Sequence, residues 1–422
     1  MISSIPIVVA VYNRPDCLQR LLVSLDRAHY PDHVEVPLIL SLEGGADEAC
    51  ERLAEDFEWR VGPKRIIRQQ NHLGLRQHIM ACAAQSKASG AALILEDDLI
   101  LSPYFYQFAR ETTLRYQTER KVASIGLYSY RINEFCHYPF EPIPDQWDAF
   151  FMQVPCSWGQ VFLGHAWQDF ENFLQREGEA VDGIKLPDTV KRCWRSHSWK
   201  KLFFKFLVCE DRFVVYPRQS FSDHRGELGT HFKKPCPYFA TSLSMNPGPY
   251  QFPQFHETWN IYDAFMEVDM RHGMWDSSVF KDAEMDLYGL KPLELISCER
   301  VVTSRKVRGK FQTLELTEQP LQQNLLNPVD SNVEHTQKEG APFLSIAPLC
   351  DVMSASPNTT LNTFYAERIS PPLRTHLVNI GIALQLDYLL KNPIFRGLWM
   401  IKRVLLRFRF WKWKKRFRPE IQ

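Results

Sequence analysis

The chain has 422 residues, of which 45% are hydrophobic and 23% charged, with a formal net charge of +1. That length excludes a single small core, and the composition is ordinary for a soluble globular protein. The net charge decides nothing about an acidic partner, because the last thirty residues are basic and the rest is balanced or acidic. Ten cysteines, at 17, 50, 82, 136, 156, 193, 209, 236, 298 and 350, form no C-x-x-C pair and no cluster. This suits reduced thiols in a cytosolic protein and argues against a disulfide framework or a zinc site.

The first element is the apolar run "IPIVVAVY" (5–12). Eight residues are too few for a membrane span and no basic segment precedes them, so the run predicts a strand rather than a signal peptide. "VPLILSL" (36–42), "KRIIRQ" (64–69), "ALILE" (92–96) and "VASIGL" (122–127) repeat the pattern. They are short, β-branched and apolar, as expected of parallel strands covered on both faces. Amphipathic stretches at 16–28, 47–57 and 75–88 alternate with them. The β-α-β-α order predicts an open, mostly parallel sheet with right-handed crossovers, whose ligands bind outside the carboxyl ends of the strands.

Residues 1–127 are thus expected to form one half of a large α/β domain, and the aromatic-rich stretch 128–308 its second half. The polar stretch 309–342 reads as a linker, and 343–422 as a C-terminal extension. That extension ends in "NPIFRGLWMIKRVLLRFRFWKWKKRFRPEIQ" (392–422), with ten Lys or Arg between 396 and 418 and no acid among them. Interleaved aromatic and basic residues suit an interfacial helix on anionic lipid, which would make the protein peripheral on the inner face of a membrane. Docking on a partner protein is the alternative, and stacking on single-stranded nucleic acid is not expected.

The chemistry concentrates where "ALILE" runs into Glu96, Asp97 and Asp98. Carboxylates at a strand end cannot stay buried and unpaired, since desolvation costs several kcal/mol per ion. They suit a hard divalent cation such as Mn2+ or Mg2+, which takes carboxylate, phosphate and water oxygens. They equally suit a helix N-terminus, with Ser102 as cap and Pro103 at the first helical position. Polar groups end the neighbouring strands too: Tyr12, Asn13, Arg14 and Pro15 after the first, Glu43 with Gly44 and Gly45 after the second, and Asn71, Gly74 and Arg76 after the third.

Taken together, "VVAVYNRPDCLQRLLVSL", "LSLEGGAD", "NHLGLRQHI" and "LILEDDLILSPYFYQF" resemble a nucleotide-sugar-dependent glycosyltransferase domain of the GT-A type. The likeness is to the group around N-acetylglucosaminyltransferase I and its bacterial relatives. It implies that Asp98 binds the metal bridging the donor diphosphate, with Glu96 and Asp97 contacting ribose and base. Glu43 matches the family's base-recognising acid, and Tyr12, Asn13, Arg14 and Arg76 its other donor contacts. "PCSWGQVFLGHAW" (155–167) is similar to the family's acceptor-side segment, carried by Trp158 and Gly159. "FVVYPRQSFSDHRGELGTH" (213–231) is similar to its closing segment, which makes His231 a metal or diphosphate ligand, whereas His197 and His224 read as structural.

One position departs from the family. Its bacterial members place the general base, an Asp, in a Trp-Asp pair about eighteen residues before a Tyr-Pro; counting back from Pro217 reaches Trp199, followed by Lys200. The base is then expected from a neighbouring acid, with Asp211 first and Glu210, Asp188 and Asp182 behind it, or Lys200 itself pairs with donor phosphate. The expectation is a metal-dependent, inverting transferase acting on a glycan or lipid-linked saccharide. Its rivals are a catalytically degenerate glycan- or nucleotide-binding protein and a nucleotidyltransferase. The latter normally has a Gly-rich loop after the first strand, and "VYNRPD" has no glycine.

Overall fold

The computed structural model describes residues 4–224, 226, 239–275, 280, 282–309, 311–326, 342–353, 360–361 and 364–365. His231 and the basic tail 392–422 lie outside the described residues. The chain divides into two units, Met1–Asn358 and Thr359–Gln422. Among the described residues, no helix is long and apolar enough to cross a membrane.

The strands of the first unit begin with Ile7–Val11 (β1), Leu38–Leu42 (β2), Lys64–Arg68 (β3), Ala91–Glu96 (β4), Leu99–Leu101 (β5) and Val122–Gly126 (β6). They continue with Ala149–Met152 (β7), Gln160–Leu163 (β8), Phe213–Pro217 (β9), Ser222–His224 (β10) and Ile261–Tyr262 (β11). The helices are Pro15–Asp26 (α1), Glu48–Asp56 (α2), Gly74–Ala83 (α3), Ser86–Ser89 (α4), Phe105–Tyr116 (α5), Gly164–Glu177 (α6), Asp188–Cys193 (α7) and Trp199–Cys209 (α8).

Nine strands form one α/β sheet in the order β11-β7-β9-β6-β8-β4-β1-β2-β3, mostly parallel and flanked by helices. β1 and β2 are buried along their whole length, which is why their sequences are continuous apolar runs rather than alternating ones. β8 enters antiparallel between β4 and β6, so β4 and β6 point the same way, and β9 runs parallel to β6. Ala10 of β1 pairs with both Ser41 and Glu96, so Tyr12–Arg14, Glu43 and Asp97–Asp98 leave the sheet along one edge. α1 packs through Cys17, Leu18, Leu21, Leu22 and Leu25, a stripe at helical spacing, and begins with Pro15 in its first turn, where a missing N–H costs nothing.

Two local differences from the sequence expectations follow from tertiary pairing. Residues 99–101 form β5, with Leu99 and Leu101 buried and the strand paired antiparallel to β10, so the helix after the triplet starts only at Phe105. Ser102 accepts the Tyr104 N–H at 3.1 Å and donates to the Ser244 carbonyl at 2.5 Å. The stretch 309–342 also contains a strand, Gln312–Glu315 (β14), in a second sheet with Ala283–Asp286 (β12), Arg300–Thr303 (β13) and Phe343–Pro348 (β15). The order is β12-β13-β15-β14. β14 is an edge strand with only Leu314 fully buried, and its exposed polar residues give it the composition of a linker. Lys291, 2% exposed, lies 2.5 Å from Asp263, 3.2 Å from Glu284 and 3.6 Å from Glu267, tying this sheet to the segment after β11.

Candidate active site

The acidic triplet sits where β4 leaves the sheet, and Arg14, at the start of α1, spans its last two carboxylates. Nη1 of Arg14 lies 2.8 Å from Asp98 Oδ2 and Nη2 lies 2.5 Å from Asp97 Oδ1. Asp97 Oδ2 also accepts the Tyr12 N–H at 3.4 Å, so Asp97 is held at both oxygens. Burial, reinforced by the Asp98 charge, pushes the Glu96 carboxyl up to about 8. Burial also raises Asp97 to about 6 against the lowering effect of Arg14. Burial works against the Arg14 charge too, but Asp98 and Asp97 hold it above its ordinary value.

Among the described residues, Glu96, Asp97 and Asp98 do not gather three ligand atoms on one point, so a divalent cation here would rest mainly on Asp98. The donors are hard oxygens, burial makes Glu96 and Asp97 hold their protons more tightly than usual, and Asp98 keeps 29% of its side chain exposed. Arg14 engages only one of the Asp98 oxygens.

Beside the triplet, Tyr12 and Asn13 are exposed at the end of β1, and the Tyr12 ring lies 5.3 Å from that of His72. Glu43, 4% exposed, is committed to the backbone: Oε1 accepts the N–H of Leu73 at 2.7 Å and of Gly44 at 2.9 Å. It therefore acts as a bracket between the turns after β2 and β3. Gly44 must be glycine there, since a Cβ would meet the Asn71 carbonyl carbon at 2.2 Å. Arg76 pairs through both terminal nitrogens with Glu179, beyond the end of α6.

On the other side, Trp158 precedes β8, whose amino end shares the edge where β4 ends. Its indole stacks on His224 with centroids 4.2 Å apart and meets the Tyr128 ring edge-on at 4.5 Å. Gly159 takes φ +86°, a left-handed conformation that turns the chain from Trp158 into the strand. His224 is paired opposite Leu99 and accepts the Gly226 N–H on Nδ1 at 3.1 Å. Burial lowers its proton affinity while Asp223 and Asp98 raise it, which places the imidazole within the electrostatic reach of the triplet. Lys200, in the first turn of α8, lies with Nζ 5.8 Å from the Trp158 centroid and 4.7 Å from that of Trp194. Its partner is Glu134, at 3.0 and 3.1 Å.

The acids expected as the base lie elsewhere. Asp211 follows the far end of α8, about 16 Å along the axis from Lys200 at 1.5 Å per residue. It precedes β9 and pairs with Lys121, which precedes β6, so it stands at the amino edge of the sheet, opposite the triplet. Although burial alone would raise it, hydrogen bonds from His272 and Lys121 and the Arg271 charge hold the Asp211 carboxyl well below the usual range. Glu210 pairs with Arg176 at 2.6 Å on the same side. Asp211, Asp269 and His272 cluster closely enough to hold a cation, but Lys121 and Arg271 already supply positive charge there. Asp188 pairs with Arg192 one turn on in α7.

One residue of this edge was not singled out from sequence, and another, His224, was read there as structural. Glu134 is the one acid in the aromatic segment 128–140, and that isolation was its only signal. His224 was legible only as the end of a three-residue strand, too short to recognise before its pairing with β5 is known.

No family model and no curated protein matches the chain. Solved structures do. One is TarS 1–349 from S. aureus in complex with UDP-GlcNAc, 11% identical with a TM-score of 0.35 over 54% of this chain and 60% of that one. Another is GalNAc-T7 with UDP, GalNAc and Mn2+, 12% identical with a TM-score of 0.39 over 53% and 44%. A third is the mannosyltransferase PcManGT from Pyrobaculum calidifontis in complex with GDP-Man and Mn2+, 13% identical with a TM-score of 0.27 over 42% and 48%. This chain spans 44% to 60% of the length of those three.

Proposed function

We propose that the chain is a glycosyltransferase of the GT-A type, moving a hexosyl or N-acetylhexosaminyl group from a nucleoside-diphosphate sugar to a hydroxyl of a glycan or lipid-linked saccharide, with inversion. The observation that carries this reading is a shared location at the carboxyl edge of the sheet. There the Asp97–Asp98 pair with Arg14, the exposed Tyr12, and the Trp158–His224 stack converge from separate strand ends.

The residues divide the work by chemistry. Tyr12 and Asn13, exposed beside His72, offer a ring and an amide to the base and ribose. Asp97, held by Arg14 and the Tyr12 N–H, fixes the turn in which Asp98 is presented. Asp98, with His224 nearby, would hold Mn2+ or Mg2+, which when bound supplies positive charge for the departing diphosphate. Trp158, half-buried against His224, would offer the exposed part of its indole to a sugar.

Calorimetric titration of the protein with UDP and with GDP, each with and without Mn2+, tests this. Binding of one nucleotide that depends on Mn2+, with slow hydrolysis of the matching sugar donor, is expected. Absence of binding to both would overturn the reading and favour a degenerate binding protein, the alternative that Lys200 in place of an acid supports.

A further inference from the structure

The proposed transfer needs a group to take the acceptor's hydroxyl proton, and where the resemblance puts an aspartate this chain has Lys200. We propose that Glu134 is that base and Lys200 the residue that positions it. This inference rests on the glycosyltransferase reading above.

Glu134 lies on the segment that follows β6. Because β6 runs parallel to β4, that segment leaves the sheet at the edge that carries the triplet. Both Glu134 oxygens face the Lys200 ammonium, at 3.0 and 3.1 Å, and Oε2 also accepts the Tyr130 hydroxyl at 3.0 Å. A carboxylate has about four lone-pair directions. Three are used here, and the hydrogen bonds from two different elements fix the plane of the group while one direction remains for a hydroxyl.

The location also suits an acceptor. The Lys200 ammonium lies over the rings of both Trp158 and Trp194, and Trp158 stacks on His224 with its own ring. The positive charge of Lys200 is felt at Glu96 and at His224. Glu134 therefore stands at the aromatic end of this edge, held by the same ammonium that lies over Trp158. An acceptor sugar bound beside Trp158 would bring a hydroxyl within reach of the Glu134 carboxylate. Among the described residues, the acids expected for this role, Asp211 and Glu210, stand at the opposite edge of the sheet in ion pairs of their own.

In the step, the acceptor oxygen forms a bond to the anomeric carbon while its proton passes to a Glu134 oxygen. The bond from that carbon to the diphosphate oxygen breaks, and its electron pair leaves with the diphosphate. Glu134 then returns its proton to solvent. Lys200 touches no reacting atom; it orients the carboxylate and offers its counter-charge.

The test uses the full chain with Mn2+ and a panel of UDP- and GDP-sugars, following free sugar released when water is the acceptor. Glu134→Gln is expected to lower kcat about 100-fold or more, with the calorimetric affinity for the nucleotide unchanged. Since Gln leaves Lys200 buried beside an amide, the double variant E134Q/K200M removes both charges and is the folding control. It should remain as slow as E134Q. Lys200→Met should lower kcat with little change in KM, and Lys200→Arg should recover most of the rate. Full turnover in E134Q, or recovery of turnover in the double variant, would overturn the assignment by showing Glu134 to be only a counter-ion. If the unmodified protein binds none of the nucleotides, the glycosyltransferase reading itself fails and this inference with it.

Discussion

Arg14 and Asp97 are 83 residues apart in the chain, yet Nη2 of one lies 2.5 Å from Oδ1 of the other. The same guanidinium reaches Asp98, so one cation at the start of α1 restrains both acids at the end of β4. Replacing Arg14 with Ala leaves a buried carboxylate without its charged partner, and such losses cost about 1–3 kcal/mol. Urea unfolding should show a lower midpoint with an unchanged slope, and Mn2+ should recover part of the difference. A midpoint equal to that of the parent would mean that the pair contributes nothing to stability.

Asp98→Ala removes the most exposed carboxylate among these restrained acids while leaving the Arg14–Asp97 contact in place. Changes in the residues that merely support a metal's ligands already cost about 10- to 100-fold in affinity. The direct loss should weaken Mn2+-dependent nucleotide binding by at least that much, with the melting temperature of the metal-free protein little changed. Calorimetry on the two proteins decides it.

Acidity provides a third check. Glu96 is raised from its ordinary 4.5 to about 8 by burial and the Asp98 charge, and Asp97 from 3.8 to about 6 by burial. The folded chain thus holds these protons more tightly than the unfolded chain. Their contribution to stability is fully present below about pH 4 and is lost as the pH rises to about 8. A cation at Asp98 is favoured when these neighbouring acids are ionised, so its stabilising effect must grow over the upper part of that window. Melting curves recorded with and without Mn2+ should diverge from pH 6 to pH 8. A constant difference across that range would contradict the placing of the cation at Asp98, beside these two acids.

Gly44→Ala tests the bracket formed by Glu43. The new methyl would meet the Asn71 backbone at 2.2 Å, so the turn carrying Leu73 must move away from Glu43. Overpacking of this kind typically costs about 1–3 kcal/mol. The nucleotide affinity should fall along with the stability, because His72 lies in that turn and its ring neighbours that of Tyr12. Gly45→Ala meets nothing within 4 Å, so φ +75° is its only penalty, and it should be the milder variant.

The parallel half of the sheet was legible because most of its strands are buried on both faces and read as β-branched runs closed by polar turns; the edge strand β3 is only partly buried. The predicted strands at 5–12, 36–42, 64–69, 92–96 and 122–127 contain β1, β2, β3, almost all of β4, and β6. The triplet stood out for a similar reason, as three charges abutting such a run. What escaped were features made by contacts distant in sequence. β5 and β10 are three residues each and exist only as a pair. Glu134 and Lys200 meet across 66 residues, and Arg76 and Glu179 across 103, with nothing local to mark either partnership. Asp211 looked plausible because it is near Lys200 in number, but an intervening helix carries it to the other edge of the sheet.

The second sheet bears on how the chain can be shortened. Its strands are drawn from both sides of residue 308, and β15, which pairs with β13 and β14, begins only at Phe343. A protein cut after residue 308 would keep β13 but lose the strand that covers its edge, baring the backbone beside Val301 and Val302. An uncovered apolar edge of that sort recruits other chains. A fragment ending there should aggregate, whereas one that keeps β15 through Pro348 retains every strand of that sheet.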